Sequence, residues 1–270
     1  MTEVKLHHVQ HGEGVPLLAV HGWTPDHRLM SGCLEPVFAN RPGYRRVYPD
    51  LPGMGGSPAP ESIASSDDVL ACLDAFIDEQ FGTEPMLLVG ESYGGYLARA
   101  LANRRAEQVR GLALICPIGR ALWHAERTVP EHRVISAESG LLADVDPAVA
   151  DGFSSMSVVQ NEQTLRRYRE NIAPGLAVAD EVAMDRIQRR WELSTDPESG
   201  DPYPHPALIL TGRQDSVTGY ADSYPLLDHY PRASFAILDR AGHNLQDEQP
   251  ALFEALIAEW LDRAAEAWAH

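Results

Sequence analysis

Positive charge is scarce in this chain. Lysine and arginine number 22 against 39 aspartates and glutamates, a formal net charge of −17 over 270 residues. Such acidity opposes phosphate backbones and anionic lipid surfaces, so neither nucleic acid nor a membrane is expected as a partner. Cysteine is scarcer still. Cys33, Cys72 and Cys116 stand singly with no C-x-x-C pair, which argues against a disulfide framework and points to a reducing compartment. No run approaches the ~20 apolar residues of a bilayer-spanning helix, and residues 1–8 hold no apolar leader core. A cytoplasmic location is therefore expected. Internal repeats and low-complexity tracts are absent too.

What is present is a core-forming rhythm. Hydrophobic residues make up 44% of the chain, and its length suits one large domain or one domain carrying an insertion. Short, nearly unbroken apolar runs occur at 15–20, 86–89, 112–115, 207–210 and 234–238. Runs of this kind suit strands buried on both faces. A weak alternation over 4–10 fits an edge strand. Between the runs lie helical patterns at 28–39, at 66–81 with Ser65 or Ser66 as cap, after Ser92, near 219–230 and from 250 to about 264. Residues 120–204 break the rhythm, with charged helical patterns and six prolines, and read as a mostly helical insertion. The expectation is an α/β protein with a mostly parallel, doubly wound sheet of seven or eight strands. Its core domain covers 1–119 and 205–270, with a helical cap at 120–204 inserted after the sixth strand. Functional groups in such sheets gather beyond the C-terminal strand ends.

One strand end is distinctive. Leu87-Leu88-Val89 runs into Gly90-Glu91-Ser92-Tyr93-Gly94-Gly95, the Gly-x-Ser-x-Gly pattern of a strand turning abruptly into a helix. Strand and helix backbones then approach so closely that a side chain two residues either side of the serine would clash, which is why glycine stands there. The serine hydroxyl is held at the tip of a strained turn, with the Tyr93 amide at a helix N-terminus beside it. A serine needs a base, and the base needs a carboxylate to orient it. Asp215 and His243 follow the next two strands downstream, in the order Ser, Asp, His.

These stretches resemble the α/β-hydrolase superfamily in its cap-bearing branch. The resemblance rests on His21-Gly22-Trp23, on Asp50-Leu51-Pro52-Gly53-Met54-Gly55-Gly56-Ser57, on the Ser92 turn, on Gly212-Arg213-Gln214-Asp215 and on Gly242-His243. It implies Ser92 as nucleophile, His243 as general base and acid, Asp215 as orienting carboxylate, and the amides of Trp23 and Tyr93 as oxyanion donors. His21 would anchor the loop that presents Trp23, and Cys116 would be a buried apolar filler. The N-terminus looks short for the usual first hairpin, which favours seven strands over eight. No metal or cofactor motif is visible and none is needed.

The aromatic and sulfur-bearing residues of the insertion, Trp123, Phe153, Met156 and Trp191, are expected to line an apolar pocket over Ser92. Glu91 either faces solvent or touches substrate. The favoured expectation is a serine esterase acting on a small, partly apolar carboxylic ester or related acyl compound, as a monomer or homodimer. Three alternatives stand beside it. One is hydrolysis of a carbon–carbon bond in a dienoic or β-diketone substrate. Another is an aminopeptidase similar to proline iminopeptidases, whose acidic amine-binding residues Trp191-Glu192 resembles. The last is a receptor that keeps the three residues but turns over poorly.

Overall fold

A computed structural model describes residues 4–120 and 122–268. The outermost residues of the expected boundaries, 1–3 and 269–270, lie outside the described residues, as does Ala121. Strands β1 (His8–His11), β2 (Val15–Val20), β3 (Tyr44–Pro49), β4 (Met86–Glu91) and β5 (Val109–Ile115) alternate with helices α1 (His27–Phe38), α2 (Ser66–Phe81) and α3 (Ser92–Arg104). Then come β6 (Ser136–Ala137), α4 (Pro147–Met156), β7 (Val159–Gln160), α5 (Glu162–Asn171), α6 (Ala173–Leu176) and α7 (Glu181–Gln188). The chain closes with β8 (Ala207–Gly212), β9 (Ala233–Leu238), α8 (Leu245–Glu248) and α9 (Pro250–Trp268).

Seven strands form one sheet in the order β1-β3-β2-β4-β5-β8-β9. Only β1 is antiparallel, pairing with β3 at the edge. The sheet thus takes the seven-strand form. Counted within it, the segment between β5 and β8 follows the fifth strand rather than the sixth, because among the described residues one strand, β1, precedes β2.

The unbroken apolar runs have a simple cause. Leu18, Val20, Leu88, Leu112 and Leu114 pack into one core cluster, while Leu17, Ala19, Leu87, Val89, Ala113 and Ile115 pack into another. Successive side chains point to opposite faces, and both faces are covered, so both sets must be apolar. Helix α2 shows the matching helical logic. The Ser65 hydroxyl oxygen accepts from the Asp68 amide at 3.2 Å, Asp67 and Asp68 suit the positive helix end, and Val69, Leu70, Leu73, Phe76 and Ile77 are buried against the sheet. Each such side chain is worth roughly 1.5–3 kcal/mol of burial.

Two local expectations differ from the structure. No α-helix forms near 219–230; turns lead instead into a short 3-10 helix, Tyr224–Asp228. The Asp222 carbonyl accepts from the Arg120 amide at 3.1 Å and its carboxylate from the Thr128 amide at 2.6 Å, which pulls this residue out of a helical ladder. Between β5 and β8 the chain is not purely helical: Ser136 and Ala137 pair in parallel with Val159 and Gln160. Two residues per strand are too few to leave a period in the sequence. The end of this segment also joins the main core, where Trp191, Leu193 and Tyr203 are buried and the Tyr203 hydroxyl donates to the Val109 carbonyl at 3.0 Å. Among the described residues no helix is long and apolar enough to cross a membrane.

Candidate active site

The site is built where β4 becomes α3. Glu91 is the last residue of the strand and Ser92 the first of the helix. Ser92 has φ 52°, in the left-handed region that side chains rarely adopt. The flanking glycines are forced by contact. A Cβ on Gly90 would meet the Gly94 carbonyl oxygen at 2.4 Å, and one on Gly94 would meet the carbonyl oxygens of Val20 and His21 at 2.4 Å. Tyr93 is the second residue of α3, so its amide is among those a helix leaves without an internal partner. Its ring is fixed behind the backbone. The hydroxyl donates to Ser66 Oγ at 2.9 Å, and the ring stacks on Trp191 with centroids 4.4 Å apart.

The loops after β8 and β9 deliver the other two groups. His243 Nε2 lies 3.0 Å from Ser92 Oγ, and His243 Nδ1 lies 3.1 Å from Asp215 Oδ2. All three residues are buried. Asp215 Oδ1 also accepts from the amides of Val217 at 2.8 Å and Thr218 at 3.1 Å, and the Thr218 hydroxyl stands 2.7 Å from Oδ2. Burial alone would raise the Asp215 carboxyl, but His243 and these donors outweigh it and hold it well below the usual range. Burial would likewise lower the His243 imidazole. The Asp215 carboxylate, and after it that of Glu91, reverse the sign and raise it.

Glu91 does not face solvent. It is buried, with Oε1 3.4 Å from His243 Nε2. Burial raises its carboxyl, opposed by the His243 charge and by a hydrogen bond from the Gly22 amide. The loop carrying Gly22 and Trp23 is anchored by His21. His21 Nε2 accepts from the Leu51 amide at 2.9 Å while Nδ1 lies 2.7 Å from the Gly22 carbonyl oxygen, so Nδ1 carries the proton. Burial lowers the pKa of this imidazole.

A cavity of about 290 Å³ opens over these groups. Trp23, Thr24, Pro25, Leu29, Met156, Tyr168, Ile172 and Leu176 line it together with Glu91, Ser92, His243 and Asn244. Of the four insertion residues expected there, Met156 is in the lining. Trp123 is 43% exposed and outside it. Phe153 is fully buried behind Tyr168, with ring centroids 5.6 Å apart, and fills core instead. Trp191 is held under Trp23 and Tyr93 by ring contacts at 4.7 and 4.4 Å, so it supports the loop backbone rather than the cavity wall. The wall residues absent from the sequence reading, Leu29, Ile172 and Leu176 among them, come from α1 and from around α6. Their apolar spacing looks like that of any core-facing helix residue, so no sequence signal marks them.

Two larger cavities, of about 660 and 490 Å³, hold none of Ser92, Asp215 or His243 and are lined by charges of both signs. Glu192 lines the second of these. Among the described residues, two groups bring metal-ligand residue types together: Cys116 with Asp215 and His243, and His7 with His27 and Asp50. In the latter each Asp50 oxygen already takes one histidine Nδ1, at 2.7 and 2.8 Å, and one backbone amide, at 2.7 and 2.8 Å.

Comparison with known proteins gives the same frame. A family model described as "Alpha/beta hydrolase family" matches residues 17–256. A 2-hydroxymuconate semialdehyde hydrolase from a Pseudomonas species is 29% identical over 265 residues, covering 94% of this chain and 89% of that protein. A pimeloyl-[acyl-carrier protein] methyl ester esterase from Aeromonas hydrophila is 29% identical over 261 residues, covering 91% and 95%. The crystal structure of an alpha/beta superfamily hydrolase from Oenococcus oeni superposes with a TM-score of 0.88 at 32% identity, covering 96% of both chains. With a matching model across most of its length, the same sheet and relatives that are hydrolases, this chain is an enzyme of the alpha/beta hydrolase family.

Proposed function

We propose that the protein is a serine hydrolase that cleaves a small ester whose acyl group is neutral and largely apolar. In this reading Ser92 attacks the carbonyl carbon while His243 takes its proton, with the imidazole kept in one tautomer by Asp215. The tetrahedral oxyanion is held by the amides of Tyr93 and Trp23. His243 then protonates the departing alcohol, and water repeats the sequence on the acyl-enzyme. The segment 120–204 is the cap, and its Met156, Tyr168, Ile172 and Leu176 exclude water from the reacting carbonyl. A cytoplasmic setting, without nucleic acid or membrane as partner, belongs to the same reading. Three free thiols, two of them buried, are in keeping with it.

The observation that carries the substrate class is the charge of the cavity. Among the described residues its lining contains no lysine or arginine, and its one acid, Glu91, sits against the base. The cationic group in the described lining is His243, which Asp215 and Glu91 already face, so a substrate carboxylate would enter without a free counterion and next to a like charge, and a buried unpaired charge is costly. A neutral acyl chain matches the wall of Leu29, Ile172 and Leu176.

The second reading, carbon–carbon bond hydrolysis, is favoured by the similarity to the 2-hydroxymuconate semialdehyde hydrolase. The acid in that substrate's name meets no lysine or arginine among the described residues lining this cavity. The aminopeptidase reading loses its motif, because Glu192 faces a different cavity.

One experiment tests the proposal. A fluorophosphonate probe is reacted with the enzyme and the modified residue identified. p-Nitrophenyl esters of neutral acids are then compared with a dienoic ketone acid. Labelling at Ser92 with turnover of the neutral esters supports the reading; turnover of the dienoic acid alone selects the second, and labelling without turnover of any substrate selects a receptor.

A further inference from the structure

Glu248 is buried five residues beyond His243 and is used by none of the steps above. Its two oxygens face two different parts of the chain. Oε1 accepts from the amides of Val158 at 2.5 Å and Val159 at 3.0 Å, just beyond Met156 at the end of α4. Oε2 accepts from the Gly242 amide at 2.5 Å, directly before His243. The two parts also touch each other. A Cβ on Gly242 would lie 3.1 Å from the Met156 carbonyl oxygen and 3.2 Å from Val158 Cγ1. One carboxylate thus ties the backbone beside a cavity-wall residue to the backbone beside the imidazole.

We propose that Glu248 is a positioning residue that makes the Met156 wall and the His243 loop move as one, so that acyl-chain fit and placement of the base are set by a single joint. The physical case is the count of donors. Three backbone N–H groups converge on one buried carboxylate, and charge-assisted bonds of this kind are short and directional. Among the described residues no second side chain accepts from both the Gly242 amide and the Val158 amide. Remove the carboxylate and the two backbones lose their shared anchor, each free to relax separately. Base geometry governs kcat, wall geometry governs chain-length selectivity, and the joint predicts that both change together. The inference rests on the proposed role of His243.

The test uses p-nitrophenyl acetate, butyrate and octanoate, with rates expressed per active site titrated by a fluorophosphonate probe. In Glu248→Ala, kcat per titrated site falls about 10- to 100-fold, the scale of a misplaced catalytic group, and the octanoate-to-acetate ratio of kcat/KM shifts in the same variant. Glu248→Asp restores part of both. Gly242→Ala keeps the carboxylate but wedges the joint, so it reproduces the paired change and serves also if Glu248→Ala does not fold. The proposal is overturned if kcat per titrated site stays within about twofold of wild type, or if it falls with the chain-length ratio unmoved, since Glu248 would then support only folding or only the histidine. Failure of the underlying reading is separate: it shows as wild-type enzyme that the probe does not modify at Ser92.

Discussion

Glu91 Oε1 lies 3.4 Å from His243 Nε2, so the imidazole edge that faces the Ser92 hydroxyl at 3.0 Å also faces a carboxylate from the neighbouring residue. The acidic groups acting on this pair are Asp215 and Asp247, and Arg127 opposes them at the imidazole. An anion beside an imidazole favours its protonated form. Glu91 therefore holds His243 charged to higher pH than Asp215 alone would, and a charged His243 cannot take the serine proton.

Glu91→Gln removes that anion while keeping size. The His243 pKa falls, and the acid limb of the kcat/KM profile moves to lower pH, so activity at pH 6 rises relative to pH 8. A limb that stays in place to within about 0.3 pH unit contradicts this account of the pair.

Ser92→Ala removes the proposed nucleophile, and turnover drops on the order of 10⁴- to 10⁶-fold. The circular dichroism spectrum and thermal midpoint are expected to stay close to wild type, because the change also deletes a hydroxyl from a strained turn. Retained esterase activity in purified variant, checked by mass, rules out the mechanism.

Gly94→Ala acts through shape alone. Its Cβ would stand 2.4 Å from two carbonyl oxygens of the β2 strand end and the loop after it, none of which is a flexible side-chain tip. Forcing the backbones apart costs roughly 2–5 kcal/mol, read as a fall in the denaturant midpoint, with loss of probe labelling at Ser92.

Asp247 is buried and, among the described residues, its Oδ2 has no hydrogen-bond partner. Burial raises its carboxyl to about 7, with Arg167 opposing and Glu248 adding to the rise. A carboxyl whose folded pKa lies above the unfolded value of about 3.9 binds its proton more tightly in the native state, so it costs stability as pH rises from about 4 to 7. Asp247→Asn removes that cost. The variant gains on the order of 1–3 kcal/mol at pH 8 and nothing at pH 4, measured by denaturant unfolding at both values; an equal change at the two pH values contradicts the assignment.

Leu176 is 38% exposed and lines the cavity. Leu176→Arg places a permanent cation at the edge of a site whose described lining has no lysine or arginine. The kcat/KM for an ester of a dicarboxylic half-acid should rise about tenfold relative to its neutral analogue, and more so at low salt. No change in that ratio argues that the substrate enters along a different wall.

Much of this is legible in the amino-acid sequence. The unbroken runs at 15–20 and 86–89 suit strands buried on both sides, and the division of Leu17 and Leu18 between two core clusters is the consequence. The abrupt change from strand to helix pattern around Ser92, bracketed by glycines, encoded the positive φ of the serine. Asp215 and His243 could be placed at strand ends because a parallel sheet sends every C-terminal strand end to one rim. Local sequence carries these features because backbone sterics and a period of two are local.

The cavity was not legible in the same way. Trp191 looked like a wall residue and is a buttress under Tyr93, and Phe153 fills the space behind Tyr168 instead of facing substrate. Whether an apolar side chain meets a neighbour or an empty space is decided by the angle at which one helix crosses another, which leaves no periodic mark. The orientation of Glu91 and the reach of Glu248 to both Val158 and Gly242 are of the same kind. The sequence alone determined the strands, the turn and the order in which chemical groups reach the rim. Tertiary packing alone decided what stands beside those groups, because a buried carboxylate is defined by donors that arrive from distant parts of the chain.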